Sequence, residues 1–473
     1  MSRGFFAAIG AALLWTGPCG AETDQASDAL ARDIFKQLIE IDTTESSGNV
    51  TKASEAMAQR LNAAGFAASE MQILGPDDRK KNLVVRLKGT GKHKPILLIG
   101  HLDVVEARRS DWSTDPFKFV EKNGYIYGRG TQDMKNGDAI MLATLIRLKK
   151  EGFRPSRDII LALTADEEGG SSNGIEWLLR HHRELVDAQF VLNHDSNSVL
   201  SEHGKPVYFE MDGTEKVYAD YQLTAVNRGG HSSVPIPDNA IYELSAALMR
   251  LSKYEFPFEL NSVTRGYYER MSSIETGQRA ADMRAILKNP PDTAASERLS
   301  RDPVDHSMMH TTCVATRLEG GHANNALPQR AQATVNCRIL PGHSPEEVRG
   351  ILIKVLADPK LRVQYIDESG QVQDTAPGRR GYAPPPLDPQ VMQPLDTVVD
   401  QMWPGLKVVP AMSTGSSDGL FTAAAGLPTY VISGVAVDRD NDRAHGQDEN
   451  VGVQSFYHGN EFFYRYIKAL TAD

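Results

Sequence analysis

Apolar and polar positions along the chain follow two rhythms. Residues 28–64 repeat apolar side chains at helical spacing, broken only by the polar stretch IDTTESSGN. Beyond it, short apolar or β-branched runs at 82–88, 95–99, 158–164 and 189–192 have the length and composition of buried strands. Between them, DAIMLATLIRLKK (138–150) is apolar at helical spacing and ends on a basic turn, and NGIEWLLRHHREL marks another helix. Strands alternating with helices in this way predict an α/β domain with a mainly parallel sheet.

After about Gly213 the rhythm changes. VYADYQLTAVN alternates as a half-exposed strand does, and the helix DNAIYELSAALMRLSK follows. Residues 265–310 are polar and helix-prone and hold the loop-like NPPDTAASERLSRDP. Two further strands, a PGHSPEEV turn into a helix, and LRVQYID complete an α+β block with an antiparallel sheet. From about Gly370 the chain regains its α/β character, with TYVISGV and a final helix. The expected organisation is a leader at 1–21, an α/β domain at 22–216 and 370–473, and an inserted α+β domain at 217–369.

Charge and composition narrow the class. The formal net charge is -10, and no long basic run is present, so nucleic acid is not an expected partner. Arg3, the apolar residues 5–15 and the small residues Cys19 and Ala21 form a secretory leader, too short for a membrane span; the protein is expected to be secreted or periplasmic. Cys313 and Cys337 face each other in a hairpin centred near Asn325, and a bridge and a pair of free buried thiols are equally open.

In an open α/β sheet, sites form beyond the carboxyl ends of the strands. The run at 95–99 is followed by His101 and Asp103, and that at 158–164 by Asp166, Glu167 and Glu168. The run at 189–192 is followed by His194 and Asp195, and TYVISGV by a loop carrying His445. Asp133 lies in the Gly-rich YGRGTQDMKNG before a helix. Each residue alone is an ordinary loop residue. Together, two imidazoles and three carboxylates suit a pair of divalent ions, and a spare glutamate beside a ligand glutamate is what metal-assisted hydrolysis needs as a base.

The phrases GHLDVV, YGRGTQDMKNG, TADEEGGSSNG, NRGGHSSVP and AHGQDEN resemble, in order and spacing, the M20 metallopeptidases. GGHANNALPQRAQATVNCRILPG and the polar segment 265–310 are most similar to the carboxypeptidase-S and N-acyl-amino-acid amidohydrolase branch. The resemblance implies a zinc-exopeptidase-like α/β catalytic domain interrupted by a lid or dimerisation domain. It implies two Zn2+ per chain, with Co2+ or Mn2+ as alternatives. Asp133 would bridge them, His101 and Asp195 would complete one position, and Glu168 and His445 the other. FVLNHDSNS departs from the usual phrase after the third strand, so a register shifted by one would put His194 in place of Asp195.

By the same resemblance Glu167 is the general base, Asp103 hydrogen-bonds and orients His101, and the Asp133–Met134 peptide is cis. His231 donates to the oxyanion, in some relatives across a dimer interface. Arg338 and Asn325 resemble substrate contacts, and the loop containing Gly415 and Ser416 has backbone donors for a carboxylate. The implied activity is hydrolysis of the amide of a short peptide or an N-acyl amino acid. An aminoacylase with little peptidase activity is the alternative, and a non-catalytic binding protein on the same fold is a third. A homodimer through the inserted domain is the one protein partner implied.

Overall fold

The computed structural model describes residues 24–170, 172–367, 369–378, 382 and 384–472. The leader expected at 1–21, with Cys19, lies outside them. The chain first lays down β1 (Met71–Leu74), β2 (Asn82–Leu87), β3 (Ile96–His101), β4 (Ile159–Thr164), β5 (Phe190–Asn193), β6 (Val199–Glu202) and β7 (Lys205–Glu215). It crosses at Lys216 into β8 (Val217–Val226), and β9 (Thr312–Gly320), β10 (Arg330–Ile339), β11 (Arg362–Ile366) and β12 (Val372–Gln373) join β8 in a second sheet. It then returns through β13 (Val408–Ser413), β14 (Thr429–Val431) and β15 (Ala436–Asp438).

The large sheet has the order β1-β2-β4-β3-β5-β14-β7-β6-β15, with β13 also paired to β7; the small sheet has the order β9-β10-β8-β11-β12. The α/β class is as expected; β13 runs parallel to β7 and the edge strand β15 parallel to β6, and further parallel pairs occupy the centre. There β3 runs parallel to β4 and β5, and β14 runs parallel to β5. The β1–β2, β2–β4 and β6–β7 pairs are antiparallel, which makes the sheet mixed.

Both β3 and β4 are buried along their whole length, as strands covered on two faces must be. Ile96 and Leu98 pack toward helices Gln25–Ile39, Lys135–Lys150 and Val453–Thr471, whereas Leu97 and Ile99 pack toward Gly174–His181 and the Gly419–Ala424 side. The three-layer core fixes where β3, β4, β5 and β14 end, and hence where their next residues emerge.

The segment 262–309 does not stay with the small sheet. Its helices bury Tyr267, Tyr268, Met271, Met283 and Met308 against Tyr208 of β7 and Val409, Ala411 and Met412 of β13. The stretch expected as a loop contains helix Thr293–Leu299, capped by the Asp292 carboxylate, and Pro303 opens helix Pro303–Met309. Where the two sheets meet, the buried Lys216 amine donates to the carbonyls of Ser307 and His310 at 2.9 and 2.8 Å. Burial pulls its pKa down to about 7. Cys313 and Cys337 stand opposite each other in the β9–β10 register and are disulfide-bonded.

Candidate metal centre

His101 is the last residue of β3. Asp166 follows β4 in the left-handed conformation, φ 61°, and this turn delivers Glu167 and Glu168 to the same sheet edge. Asp195 follows β5, and His445 comes from the loop between β15 and the last helix. Asp133 sits just before helix Lys135–Lys150, and its peptide bond to Met134 is cis.

These side chains converge on Asp133. One of its oxygens is 3.1 Å from His101 Nε2 and the other 3.0 Å from His445 Nε2. Glu168 lies 2.9 Å from His445 Nε2, and Asp195 lies 3.9 Å from His101 Nε2. Two donor sets result, His101–Asp133–Asp195 and Asp133–Glu168–His445, each with its ligand atoms within 4.8 Å of one another. They share Asp133, so one carboxylate faces both positions. Glu167 belongs to neither set, and its carboxylate is 3.9 Å from His101 Nε2.

The electrostatics are those of a site built for cations. Burial drives the Asp195 and Glu167 carboxyls well above their usual range, and neighbouring carboxylates add to the effect. His445 is pushed up to about 10 by its contacts with Asp133 and Glu168. Burial opposes protonation of His101, but Asp133, Glu167, Asp195 and Asp103 together raise it well above an ordinary imidazole. Burial also opposes ionisation of Asp133, yet the two imidazoles hold it below the usual carboxylate range. A donor set of two nitrogens and three carboxylates, crowded and short of positive charge, fits a pair of divalent cations.

The structure places Asp195 and His194 differently. Asp195 turns toward His101, whereas His194 is buried with its ring 4.9 Å from that of Phe463. Burial keeps the His194 imidazole neutral, with its pKa lowered to about 3. Asp103 acts differently from expectation. Its backbone carbonyl, not its carboxylate, contacts His101 Nδ1, at 3.0 Å; the carboxylate stands 3.8 Å away. The carboxylate instead accepts the backbone N–H groups of Glu167 and Glu168. A carboxylate at this place satisfies two part-buried amides of the turn that carries both acids.

Sequence reasoning missed Glu449. Its fully buried carboxylate receives Arg129 Nη1 at 2.6 Å and the backbone N–H groups of Gly130, Gln132 and Asp133. It thereby ties the Asp133 loop to the His445 loop. The one available signal was its place four residues after His445 in AHGQDEN.

The remaining expected residues lie elsewhere. His231 is exposed in a short bridge, Gly230–His231 against Ala326–Leu327, with Nδ1 2.7 Å from Ser233 Oγ. Asn325 is exposed, and its carbonyl accepts the Ser232 N–H. The Arg338 guanidinium stacks 4.7 Å from the Tyr218 ring centroid within the small sheet. Gly415 gives its N–H to Ser413 Oγ, and Ser416 is exposed on the same loop. That loop is pinned to the metal edge: Ser417 donates to Glu215 and Asp418 accepts from Thr164 and Asn173.

The profile of Peptidase family M20/M25/M40 matches residues 97–469. Mouse N-fatty-acyl-amino acid synthase/hydrolase PM20D1 is 28% identical over 390 residues, covering 79% of this chain and 74% of that protein. A probable carboxypeptidase S-like 2 of Dictyostelium discoideum is 27% identical over 398 residues, covering 82% of this chain and 74% of that protein. Among solved structures, the M20 family metallo-carboxypeptidase Sso-CP2 of Sulfolobus solfataricus shares the fold with a TM-score of 0.68 at 16% identity, over 93% of this chain and 99% of that one. With a family match over most of its length and a large sheet that brings the family's motifs to one edge, the chain belongs to peptidase family M20/M25/M40 and is a hydrolase.

Proposed function

We propose that this protein is an exported dinuclear zinc hydrolase that cleaves the amide bond of a short peptide or an N-acyl amino acid beside a free carboxylate. One observation carries the proposal: the two oxygens of Asp133 each face a different histidine, and each histidine belongs to its own donor set. His101, Asp133 and Asp195 would hold one ion, and Asp133, Glu168 and His445 the other. When bound, the pair supplies Lewis-acid activation of the carbonyl and of the attacking water. Glu167 takes the proton from that water and returns it to the leaving amine. Asp103 fixes the backbone under Glu167 and Glu168, and Glu449 fixes that under Asp133. The cysteine bridge and the residue pattern at 5–15 support export. No helix among the described residues is long and apolar enough to cross a membrane.

The test is hydrolysis of paired dipeptides and N-acyl amino acids by zinc-loaded protein, with and without chelator. Chelator-sensitive release is expected, and the preferred class separates a peptidase from an aminoacylase-like enzyme. No release of any substrate by protein holding two zinc ions would favour the binding-only alternative.

Loading should release protons. His445 titrates near 10 in the free protein, so it is protonated at pH 7, yet an imidazole ligand must be neutral. Calorimetry in buffers of different ionisation enthalpy should detect roughly one or more protons leaving per chain, with affinity rising as the pH rises. Metal affinity independent of pH between 6 and about 9 would contradict the ligand role of His445.

His231 acts in a second copy of the chain under this proposal. The edge strand β9 leaves Val314 and Leu318 58% and 65% exposed, and Tyr242 on the neighbouring helix is 68% exposed, a surface suited to a homodimer. Mixing inactive His231→Ala protein with inactive Glu167→Ala protein should restore activity through hybrid dimers. A monomer in solution, or no recovery on mixing, would remove His231 from the mechanism.

A further inference from the structure

The phrase NRGGHSSVP folds so that one serine holds the ring of His231. His231 pairs with Ala326 in the short bridge, and the three amides that follow it are all spent on the turn. Ser232 N–H goes to the Asn325 carbonyl at 3.0 Å, and Val234 N–H closes back on the His231 carbonyl at 3.0 Å. Ser233 N–H goes to the imidazole itself, 3.2 Å from Nδ1. The Ser233 hydroxyl stands 2.7 Å from the same nitrogen. The ring is exposed, and its Nε2 has no hydrogen-bond partner among the described residues.

A backbone N–H can only donate. The nitrogen that receives it must present a lone pair, so Nδ1 carries no proton, and the ring proton sits on Nε2. The hydroxyl is free to rotate and donates to Nδ1 as well. Both donors of one residue thus select the same tautomer. A proton on Nδ1 would point a donor at the Ser233 amide and lose that bond. We infer that Ser233 is a positioning residue that fixes His231 as a neutral imidazole with Nε2–H as its donor, so that His231 holds the developing oxyanion without giving up a proton. The inference rests on the oxyanion role proposed for His231 above. Glu167 alone then carries the proton from water to amine, and the Nε2–H donor is in place before and after the step. Ser233 and His231 share one turn, so the ring reaches the metal edge of a second copy already in this state.

The test reads the ring directly. Zinc-loaded protein is isotopically labelled in its histidine nitrogens, and the His231 signals are identified by their loss in His231→Gln. Near neutral pH, Nδ1 should resonate as an unprotonated nitrogen and Nε2 as a protonated one. In Ser233→Ala, which keeps only the amide arm, the two signals should move toward each other as the other tautomer gains population. In Ser233→Thr, which keeps the hydroxyl, they should stay. kcat of Ser233→Ala should fall about tenfold, the worth of one neutral hydrogen bond, with KM within about twofold and with recovery in Ser233→Thr. His231→Gln offers an uncharged amide N–H near the place of Nε2 and should exceed His231→Ala by about tenfold, whereas His231→Lys should not. A His231 ring protonated on Nδ1 near neutral pH, or recovery by Lys and not by Gln, would overturn the inference. If no dipeptide or N-acyl amino acid is cleaved, the hydrolase proposal falls, and the nitrogen spectrum still upholds or rejects the tautomer set by Ser233.

Discussion

Glu167→Ala protein is expected to load metal like the parent and to turn over about a thousandfold more slowly, the usual scale for loss of a positioned general base. The two effects separate because Glu167 lies beside His101 without belonging to either donor set. Burial and the neighbouring acids hold its carboxyl well above the ordinary range, so the free site keeps its base protonated; bound cations would oppose that shift. Glu167→Gln should behave similarly, since it keeps the shape and loses the proton acceptor. Metal content by atomic absorption, thermal unfolding and kcat measured together decide the matter. A folded, loaded Glu167→Ala enzyme with activity near that of the parent would assign the base elsewhere. Asp133→Ala, by contrast, should lose metal and activity at once, because its carboxylate faces both positions.

The second large effect concerns Glu449. Its carboxylate and the Arg129 guanidinium are 0% and 3% exposed, and removal of one partner from such a pair costs about 3–5 kcal/mol. Glu449→Ala should therefore lower the unfolding midpoint markedly. It should also weaken metal binding about 10- to 100-fold, the range seen when a group supporting a ligand is lost. A paired replacement, Arg129→Met with Glu449→Leu, separates the two consequences. Stability should recover in part, because no lone buried charge remains. Metal affinity should not recover, because the N–H groups of Gly130, Gln132 and Asp133 still lack their acceptor. Full recovery of affinity would show that Glu449 acts only through the ion pair.

The contrast between Glu167 and Glu449 marks what a sequence exposes. Glu167 follows a strand whose apolar run announces its own end, so its place at the sheet edge can be read directly. His101, Glu168 and Asp195 are legible in the same way. Glu449 serves backbone amides, a task whose one trace in the chain is its place four residues after His445. Asp103 was legible as a residue of the site but not in its task, because carbonyl and carboxylate of one residue contact different partners. The alternation of strands and helices in the α/β domain was legible from period and composition. The antiparallel pairs β1–β2, β2–β4 and β6–β7 of the large sheet were not, since a buried strand reads the same in either direction. His231, Asn325 and Arg338 depend on how one body of the molecule, or another copy, lies against the metal edge, and no local spacing encodes that.

The packing of 262–309 against β7 and β13 changes the mechanics of the small sheet. A simple insertion would hang from two connections. Here the chain passes between the two bodies four times: at Lys216, between helices Ala240–Leu251 and Ser262–Met271, between helix Pro303–Met309 and β9, and between β12 and helix Pro389–Met402. The Lys216 amine stitches the first passage to the third through Ser307 and His310. The small sheet is thus mounted like a shutter on several straps, two of them knotted together. A swing that spares this knot needs no new partner for a buried amine, whereas any other swing must break its bonds or shear the aromatic packing around Tyr267 and Tyr268.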